Sequence, residues 1–566
     1  MTHMRKIIVR NWPVFLFFEF WFFYFVSFWS RAVYFDANGN LWAGHINIWG
    51  DWAAHFTMAN AMAVRGLFIQ SPFLLHAHFS YPFVADYISA LFLRGGFSLI
   101  QSFIYPSLFL SFLIVASLYF FYKTVFQSRR IALLASCIFL FNGGVGFYYF
   151  FRDVMNSAQP ILTFLQPLHE YTRIDEEGIK WISVIDSMII PQRSFGLGFS
   201  CAIVALAVVY RIFFSQNKVH SQKKDLLLSI CVGLLLGFLP ILHTHSFLAS
   251  FLFLVCWSIA DLFFLAPREK RSDHLLKWGI IAVVTALIAL PLIHLYFLHN
   301  VSQNFFQLRL GWMASEFEQN WLLFTWKNWG ITPLLSIIGL FLLFKKSKKN
   351  HLGVLFLPSF LIFTLSNLFL FQPWSWDNTK LFVWFLLGSS GLIAYLLSYF
   401  YQLKCEKIIW QYCKSVVVIL LFFAVTASGI IDAYRIQLVQ IHSYMMYSVS
   451  DVRLSSWVKE HTNPHSIWLT GHSHNHWLFN LTGRQAVMTY PGWLWTQGYS
   501  YLSFEEDVKV MYAGSINSNM LLEKYQVNYV VVGENERNEQ FANELYFKSH
   551  FPVVYQDEQT NIYQIK

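Results

Sequence analysis

A carboxylate and an imidazole four residues apart mark the most suggestive stretch of this chain, Trp49-Gly50-Asp51-Trp52-Ala53-Ala54-His55. On a helix those two positions share one face. Asp51 and His55 could hold a divalent ion, or the carboxylate could act as a base with the imidazole beside it. Asp51 also begins a helical run after a glycine, so a helix N-cap is the competing reading. A second acid, Asp36, opens Asp36-Ala37-Asn38-Gly39-Asn40, and a third, Asp86, follows Tyr81-Pro82.

Further along come groups suited to anions and hydroxyls. Arg193, after Pro191-Gln192, could grip a phosphate with its planar fork or snorkel to a membrane surface. His243 and His245 could be ligands, donors to a phosphate, or turn residues. In Pro373-Trp374-Ser375-Trp376-Asp377-Asn378-Thr379-Lys380, Lys380 could neutralise a phosphate while Asp377, Asn378 and Trp376 take sugar hydroxyls and a sugar face. The alternative there is an Asp377–Lys380 pair capping a helix, with the tryptophans at an interface. Two motifs lie near the C-terminus. Alternating His472, His474 and His476 suggest a metal site, although no Cys, Asp or Glu within ten residues completes a ligand set. Tyr490-Pro491-Gly492-Trp493-Leu494-Trp495 offers rings such as Trp493 for a sugar face or a headgroup layer.

The elements that must position these groups are largely apolar. Of 566 residues, 56% are hydrophobic, 19% aromatic and 13% charged, about half the usual charged share of a soluble domain. That composition excludes an ordinary soluble enzyme, a disordered chain and a nucleic-acid-binding domain. The six cysteines show no C-x-x-C spacing, which argues against a disulfide framework or a Cys-based zinc site. About eleven apolar runs are long enough to span a bilayer, near 11–30, 104–122, 131–151, 194–213, 225–242, 246–266, 278–298, 329–344, 352–371, 381–403 and 415–434. Twenty-one Lys and Arg fall in the short loops on the N-terminal side and ten in the longer loops opposite. The positive-inside rule then places the N-terminus and Cys405 in the cytoplasm, and the polar loops outside.

Two domains follow from this reading. Residues 1–435 form a transmembrane domain with a large first outside loop at 31–103, and residues 436–566 form an outside α/β domain. In the latter, Ser466–Thr470, Gln485–Thr489, Val527–Val532, Pro552–Tyr555 and Asn561–Ile565 read as strands. Ser450-Asp451 caps a helix through His461, and Phe504–Tyr512 and Asn517–Tyr525 are helical. No Gly-rich phosphate loop occurs, so a nucleotide is not expected.

The pattern D-W-x-x-H-F-x-x-A-x-x-x-x-x-x-G from Asp51 to Gly66, followed by Y-P-x-x-x-D from Tyr81 to Asp86, resembles the GT-C membrane glycosyltransferases. These include oligosaccharyltransferase catalytic subunits, protein O-mannosyltransferases and aminoarabinose transferases. The chain is also similar to uncharacterised bacterial membrane proteins that carry a Y-P-G-W-L-type loop. The resemblance implies a mainly α polytopic fold with a C-terminal α/β domain, and an essential first-loop aspartate at Asp51, with Asp36 as rival. It further implies inverting transfer of a sugar from a polyprenyl phosphate at the outer, periplasmic face of a bacterial inner membrane. Ala37 stands where the mannosyltransferase type has the second acid of an Asp-Glu pair, and the oligosaccharyltransferase motif W-W-D-Y-G is lacking. Both departures count against those two acceptor classes. In this reading His55, Asp86, Gln192, Arg193, His243, His245, Trp376, Asp377, Asn378, Lys380 and Trp493 bind donor or substrate, and a divalent ion at Asp51 and His55 stays open. A transporter or flippase of a lipid-linked or anionic solute is the second reading, although no internal repeat or duplicated broken helix supports it.

Overall fold

The computed structural model describes residues 2–67, 70–165, 170–181, 183–215, 221–300, 306–346, 351–404, 406–438 and 443–566; Cys405 lies outside them. Among the described residues, eight helices are long and apolar enough to cross a bilayer. They are Asn11–Ala32, Leu99–Phe126, Arg193–Phe213, Gln222–Leu242, Thr244–Leu265, Arg268–Tyr296, Ser375–Gln402 and Ile408–Ile436. The other three expected spans take different forms, each with a local cause. The run near 329–344 is a bent pair, Trp321–Trp329 and Thr332–Lys345, meeting at 81° around Gly330. Leu352–Leu368 is a shorter apolar helix. The run near 131–151 splits into Arg129–Leu140 and Gly146–Met155. At this break a Cβ on Gly144 would sit 2.1 Å from the Lys327 carbonyl oxygen, so the chain needs glycine to turn against that backbone.

The chain divides into two compact units. The first comprises Met1–Arg31, Ser107–Pro291 and Phe306–His442; the second comprises Ala32–Pro106, Leu292–Phe305 and Ser443–Lys566.

In the first unit, Ser375–Gln402 is the central helix, 89% buried over its apolar window. Close approach needs small residues, since helices in lipid gain little from hydrophobic exclusion and rely on contact. A Cβ on Gly388 would meet Ser359 Oγ at 2.1 Å, and one on Gly339 would meet the Leu392 carbonyl at 2.6 Å. Buried ion pairs fasten other helices. Asp261 joins His274 Nδ1 (2.8 Å) and Trp278 Nε1 (2.9 Å), and Lys277 joins Asp225 (3.2 Å) and Asp273 (2.7 Å). At the end of Ile408–Ile436, Asp432 accepts the Tyr171 and Thr172 N–H groups at 2.9 and 2.7 Å while Arg435 reaches Glu170, Asp186 and Asp432. Three carboxylates share the one guanidinium of Arg435 there, and the two N–H groups supply Asp432 with further donors.

The second unit contains two sheets. Strands β1 (Val33–Phe35) and β2 (Leu41–Ala43) form a hairpin, and β2 also pairs antiparallel with β3 (Tyr444–Tyr447). The second sheet holds β4 (Ile467–Leu469), β5 (Gln485–Ala486), β6 (Tyr529–Val532), β7 (Val553–Gln556) and β8 (Asn561–Gln564) in the order β5-β4-β6-β8-β7. Its first three strands are parallel, and β8 runs antiparallel to β6 and β7. All five strands expected from sequence form, and the expected helices form at Val449–His461, Leu502–Ala513 and Ile516–Lys524. The first of these is closed by a capping box between Ser448 and Asp451. Strand β3 went unforeseen, and through it the first long loop folds together with the C-terminal segment.

Candidate active site

The helix that carries Asp51 spans Ile46–Arg65, and His45 is its N-cap, with Nδ1 accepting the Asn47 N–H at 3.2 Å. Asp51 is therefore the sixth residue of the helix, and the N-cap reading is corrected: an imidazole six residues earlier, at His45, performs that function. Trp52, Ala53 and His55 to Met62 are buried, whereas Asp51 stays partly exposed. The helix stops at Gly66, whose φ of +84° suits glycine. Its buried face lies on the Trp477–Thr482 helix. A Cβ on Gly483 would sit 2.5 Å from the Asn60 carbonyl, and Asn480 bonds Thr57 Oγ1 and receives Asn60 Nδ2 on its carbonyl, both at 2.9 Å.

The expected Asp51–His55 pair is replaced by another. His55 Nδ1 meets Asp86 Oδ2 at 2.8 Å, with the two side chains 3% and 1% exposed. Asp86 lies on the Val84–Arg94 helix, so this ion pair holds two helices of the loop together. That corrects the donor-binding reading of both residues. It also takes one ring nitrogen from the metal reading, and among the described residues no three His, Cys, Asp or Glu converge closely enough to hold an ion. Asp36 has a third role. It accepts the N–H groups of Asn38 and Asn40 (both 2.9 Å), Asn40 Nδ2 (2.8 Å) and Trp42 Nε1 (2.9 Å), closing the β1–β2 turn. The Asn40 side-chain bond, followed by those of Trp42 and the backbone, holds its carboxyl down at about 2. Asp51, by contrast, stays partly exposed on its helix.

The two C-terminal motifs explain how Asp51 is placed. His474 Nε2 donates to the Gly50 carbonyl at 2.7 Å, and its ring stacks on Trp49 with centroids 5.4 Å apart. Burial lowers the His474 pKa, which keeps a neutral N–H donor at that carbonyl. Tyr490 and Trp493 close on the same imidazole edge-on, at 5.2 and 5.1 Å. Trp493 also packs on Phe73 at 5.5 Å and is 9% exposed, so it is a packing residue rather than a sugar platform or membrane anchor. His476 Nε2 instead donates to Glu536 at 2.9 Å while its Nδ1 accepts the Leu478 N–H. The alternating histidines thus diverge to different partners. The roles of His474 and Glu536 were missed from sequence because their partners lie far away along the chain, and His45 because histidine is not among the preferred cap residues.

In the first unit a second group forms. His243 ends Gln222–Leu242 and caps Thr244–Ala260, its Nδ1 lying 2.7 Å from Ser246 Oγ. Its ring lies 5.4 Å from that of His245, which bonds Gln372, and Lys380 is within electrostatic reach of both imidazoles. Lys380 Nζ is paired with Asp377 at 2.7 Å, with both side chains only slightly exposed, so the ion pair of the alternative reading forms, although the N-cap position of the helix is Asn378 and no side-chain bond caps it. Trp376 lies beneath Lys180 Nζ at 5.6 Å. Asn378 is a correction: fully buried, it donates to the Ser366 and Phe369 carbonyls and accepts the Phe371 N–H, so its amide shapes the loop and is not offered to a sugar. Arg193 opens its helix after Gln192 and is 2% exposed, which overturns the snorkelling alternative.

No family model and no curated protein sequence matches the chain. Solved structures do. An archaeal oligosaccharyltransferase, AglB from Archaeoglobus fulgidus in complex with an inhibitory peptide and a dolichol-phosphate, superposes with a TM-score of 0.56 at 10% identity, covering 99% of this chain and 75% of that one. The same enzyme tethered to an acceptor peptide containing an NVT sequon gives 0.55 at 10% identity, with the same coverage. ArnT from Cupriavidus metallidurans in the apo state gives 0.48 at 11% identity, covering 100% of this chain and 98% of that one. The fold is that of the GT-C membrane glycosyltransferases, carried by a membrane protein with a small C-terminal sheet domain.

Proposed function

We propose that this protein is an inverting glycosyltransferase that takes a sugar from a polyprenyl phosphate, and that Asp51 is its base. The observation that carries the reading is the separation of the loop's three acids. Asp36 closes a turn and Asp86 is buried against His55, while Asp51 stays partly exposed on a helix whose start is held by His474. Asp51 takes the proton of the acceptor hydroxyl, and the acceptor oxygen forms a bond to the sugar's anomeric carbon. The bond from that carbon to the phosphate oxygen breaks, and the phosphate leaves with the electron pair. Arg193 and Lys380, the latter within electrostatic reach of His243 and His245, are assigned to phosphate recognition, where positive charge favours a departing anion. With Lys380 already paired to Asp377, the phosphate would compete with that carboxylate for the ammonium. The resemblance to an enzyme solved with dolichol-phosphate supports this donor class.

In the same reading the N-terminus is cytoplasmic, the second unit lies outside, and a bacterial inner membrane is the setting. Residues 1–435 and 436–566 remain the proposed division between a membrane part and an outside part of the chain. Purified protein incubated with polyprenyl-phosphate monosaccharides should release sugar slowly in wild type and far more slowly in Asp51→Asn. Equal release by both would remove the base assignment. No release from any donor, combined with counterflow in liposomes, would replace the transferase by a transporter.

A further inference from the structure

Topology singles out one end of the five-stranded sheet. Parallel strands β4 and β6 are neighbours, yet their C-terminal connections leave in opposite directions. From β4 the chain crosses to β5 on one side, and from β6 it proceeds to β7 and β8 on the other. Such a switch point opens a crevice at the carboxyl ends of the strands, where open α/β sheets bind ligands. Here the two ends are Gly471 and Gly533. Glu536 bridges them, accepting the Gly471 N–H on Oε1 (2.8 Å) and the Gly533 N–H on Oε2 (2.9 Å). Burial opposes its ionisation, but the His476 bond and these two N–H groups hold its pKa below the usual range, so the bridge is a carboxylate.

Beside this bridge stand two buried side chains without protein partners among the described residues. They are Thr470, 2% exposed with Oγ1 unbonded, and His472, 7% exposed with both Nδ1 and Nε2 unbonded. Buried polar atoms of folded proteins are nearly always hydrogen-bonded, so three at one strand end need an explanation. Glu505 and Lys509, paired with each other at 3.3 Å on the Leu502–Ala513 helix, lie within electrostatic reach of His472, as do His476 and Glu536. Burial pushes the His472 pKa down to about 4, so its ring is neutral, with one donor and one acceptor nitrogen. The Thr470 hydroxyl likewise donates and accepts. An anion would meet the Glu536 carboxylate with no buried cation to balance it. A neutral ligand rich in hydroxyls matches this pattern, since each sugar hydroxyl both donates and accepts.

We infer that the crevice at the ends of β4 and β6 is a carbohydrate-binding subsite in which Thr470 and His472 receive sugar hydroxyls. It does not use Asp51 and stands independently of the transfer chemistry. Thermal unfolding of the full-length protein in detergent tests it, with methyl α-D-mannopyranoside, methyl β-D-glucopyranoside and N-acetylglucosamine as probes and inorganic phosphate as the charged comparison. At least one sugar should raise the wild-type midpoint by about 2–4 °C at saturation. The rise should persist in Asp51→Asn and disappear in both His472→Phe and the near-isosteric Thr470→Val. The subsite is overturned if no sugar shifts the wild type, if the two variants shift as wild type does, or if phosphate alone protects.

Discussion

Three carboxylates from one loop occupy three environments, and substitution of each should read out differently. Asp51→Asn should keep the fold and lose roughly two to four powers of ten in turnover, the range of a lost general base. The helix cap no longer offers an escape from that test, since His45 provides it. Asp36→Asn should act mainly on stability. The folded carboxyl sits near 2, below its ordinary value, so its contribution is complete above about pH 4 and is lost as pH falls towards 2. The midpoint difference between wild type and Asp36→Asn, followed by circular dichroism, should therefore be largest above pH 5 and should close towards pH 2. At the third acid, His55→Ala removes the buried imidazole that Asp86 faces and should destabilise the fold, by up to about 3–5 kcal/mol. His55→Ala/Asp86→Ala should recover part of that loss in chemical denaturation. A double variant worse than either single one would show that the pair does more than offset its own burial.

At the scale of elements, the contact between the His-rich loop and the start of the Ile46–Arg65 helix is the one to probe. His474→Ala removes a second donor from the Gly50 carbonyl, which keeps the Ala54 N–H of its own helix, and costs about 0.5–1.5 kcal/mol. Because Gly50 adjoins Asp51, kcat should fall about 10–100-fold with little change in donor KM. A KM effect alone would place His474 in binding instead. What was legible in sequence follows the same boundary between local and distant contacts. The five strands and the helix ending at Gly66 are written in neighbouring residues, through alternation and a glycine of positive φ, whereas the cap of Val449–His461 falls on Ser448, two residues before the expected Ser450-Asp451. His55–Asp86, 31 residues apart, was hidden behind the local spacing of Asp51 and His55. His474 to Gly50, 424 residues apart, has no local trace at all. The Asn378 amide was misread for a related reason: a polar side chain at a loop mouth gives no sign of which carbonyls it will meet.

For the molecule as a whole, the composition of the second unit constrains how the chain is threaded. Its three segments pack together, with Tyr296 on Phe83 at 5.0 Å and β3 on β2. A body confined to one side of a bilayer, as the positive-inside rule expects of this unit, requires each intervening stretch to cross an even number of times. Among the described residues, five long apolar helices link the first two segments, an odd number. The broken stretch Arg129–Leu140 and Gly146–Met155 should then supply the sixth crossing, and the expected eleven is restored when the N-terminal helix, the bent pair, Leu352–Leu368, Ser375–Gln402 and Ile408–Ile436 each cross once. Cysteines introduced at Ala158 and at the exposed Ser515 should accordingly react with an impermeant reagent from the same face, the one opposite the N-terminus. Reaction from opposite faces would break the parity argument.

That discontinuous unit also fixes a timetable for biosynthesis. The hairpin of β1 and β2 leaves the ribosome early, but its partner residues arrive late: Tyr34 bonds Ser443, 409 positions further on. At about 5–20 residues per second, the wait is roughly 20–80 s. During that interval the Asp51 helix has neither the Trp477–Thr482 helix beneath it nor His474 at its start. The element that carries the proposed base is thus among the first to be made and among the last to be finished, and a ribosome that stalls anywhere before the final 120 or so residues releases a membrane protein with an unassembled site.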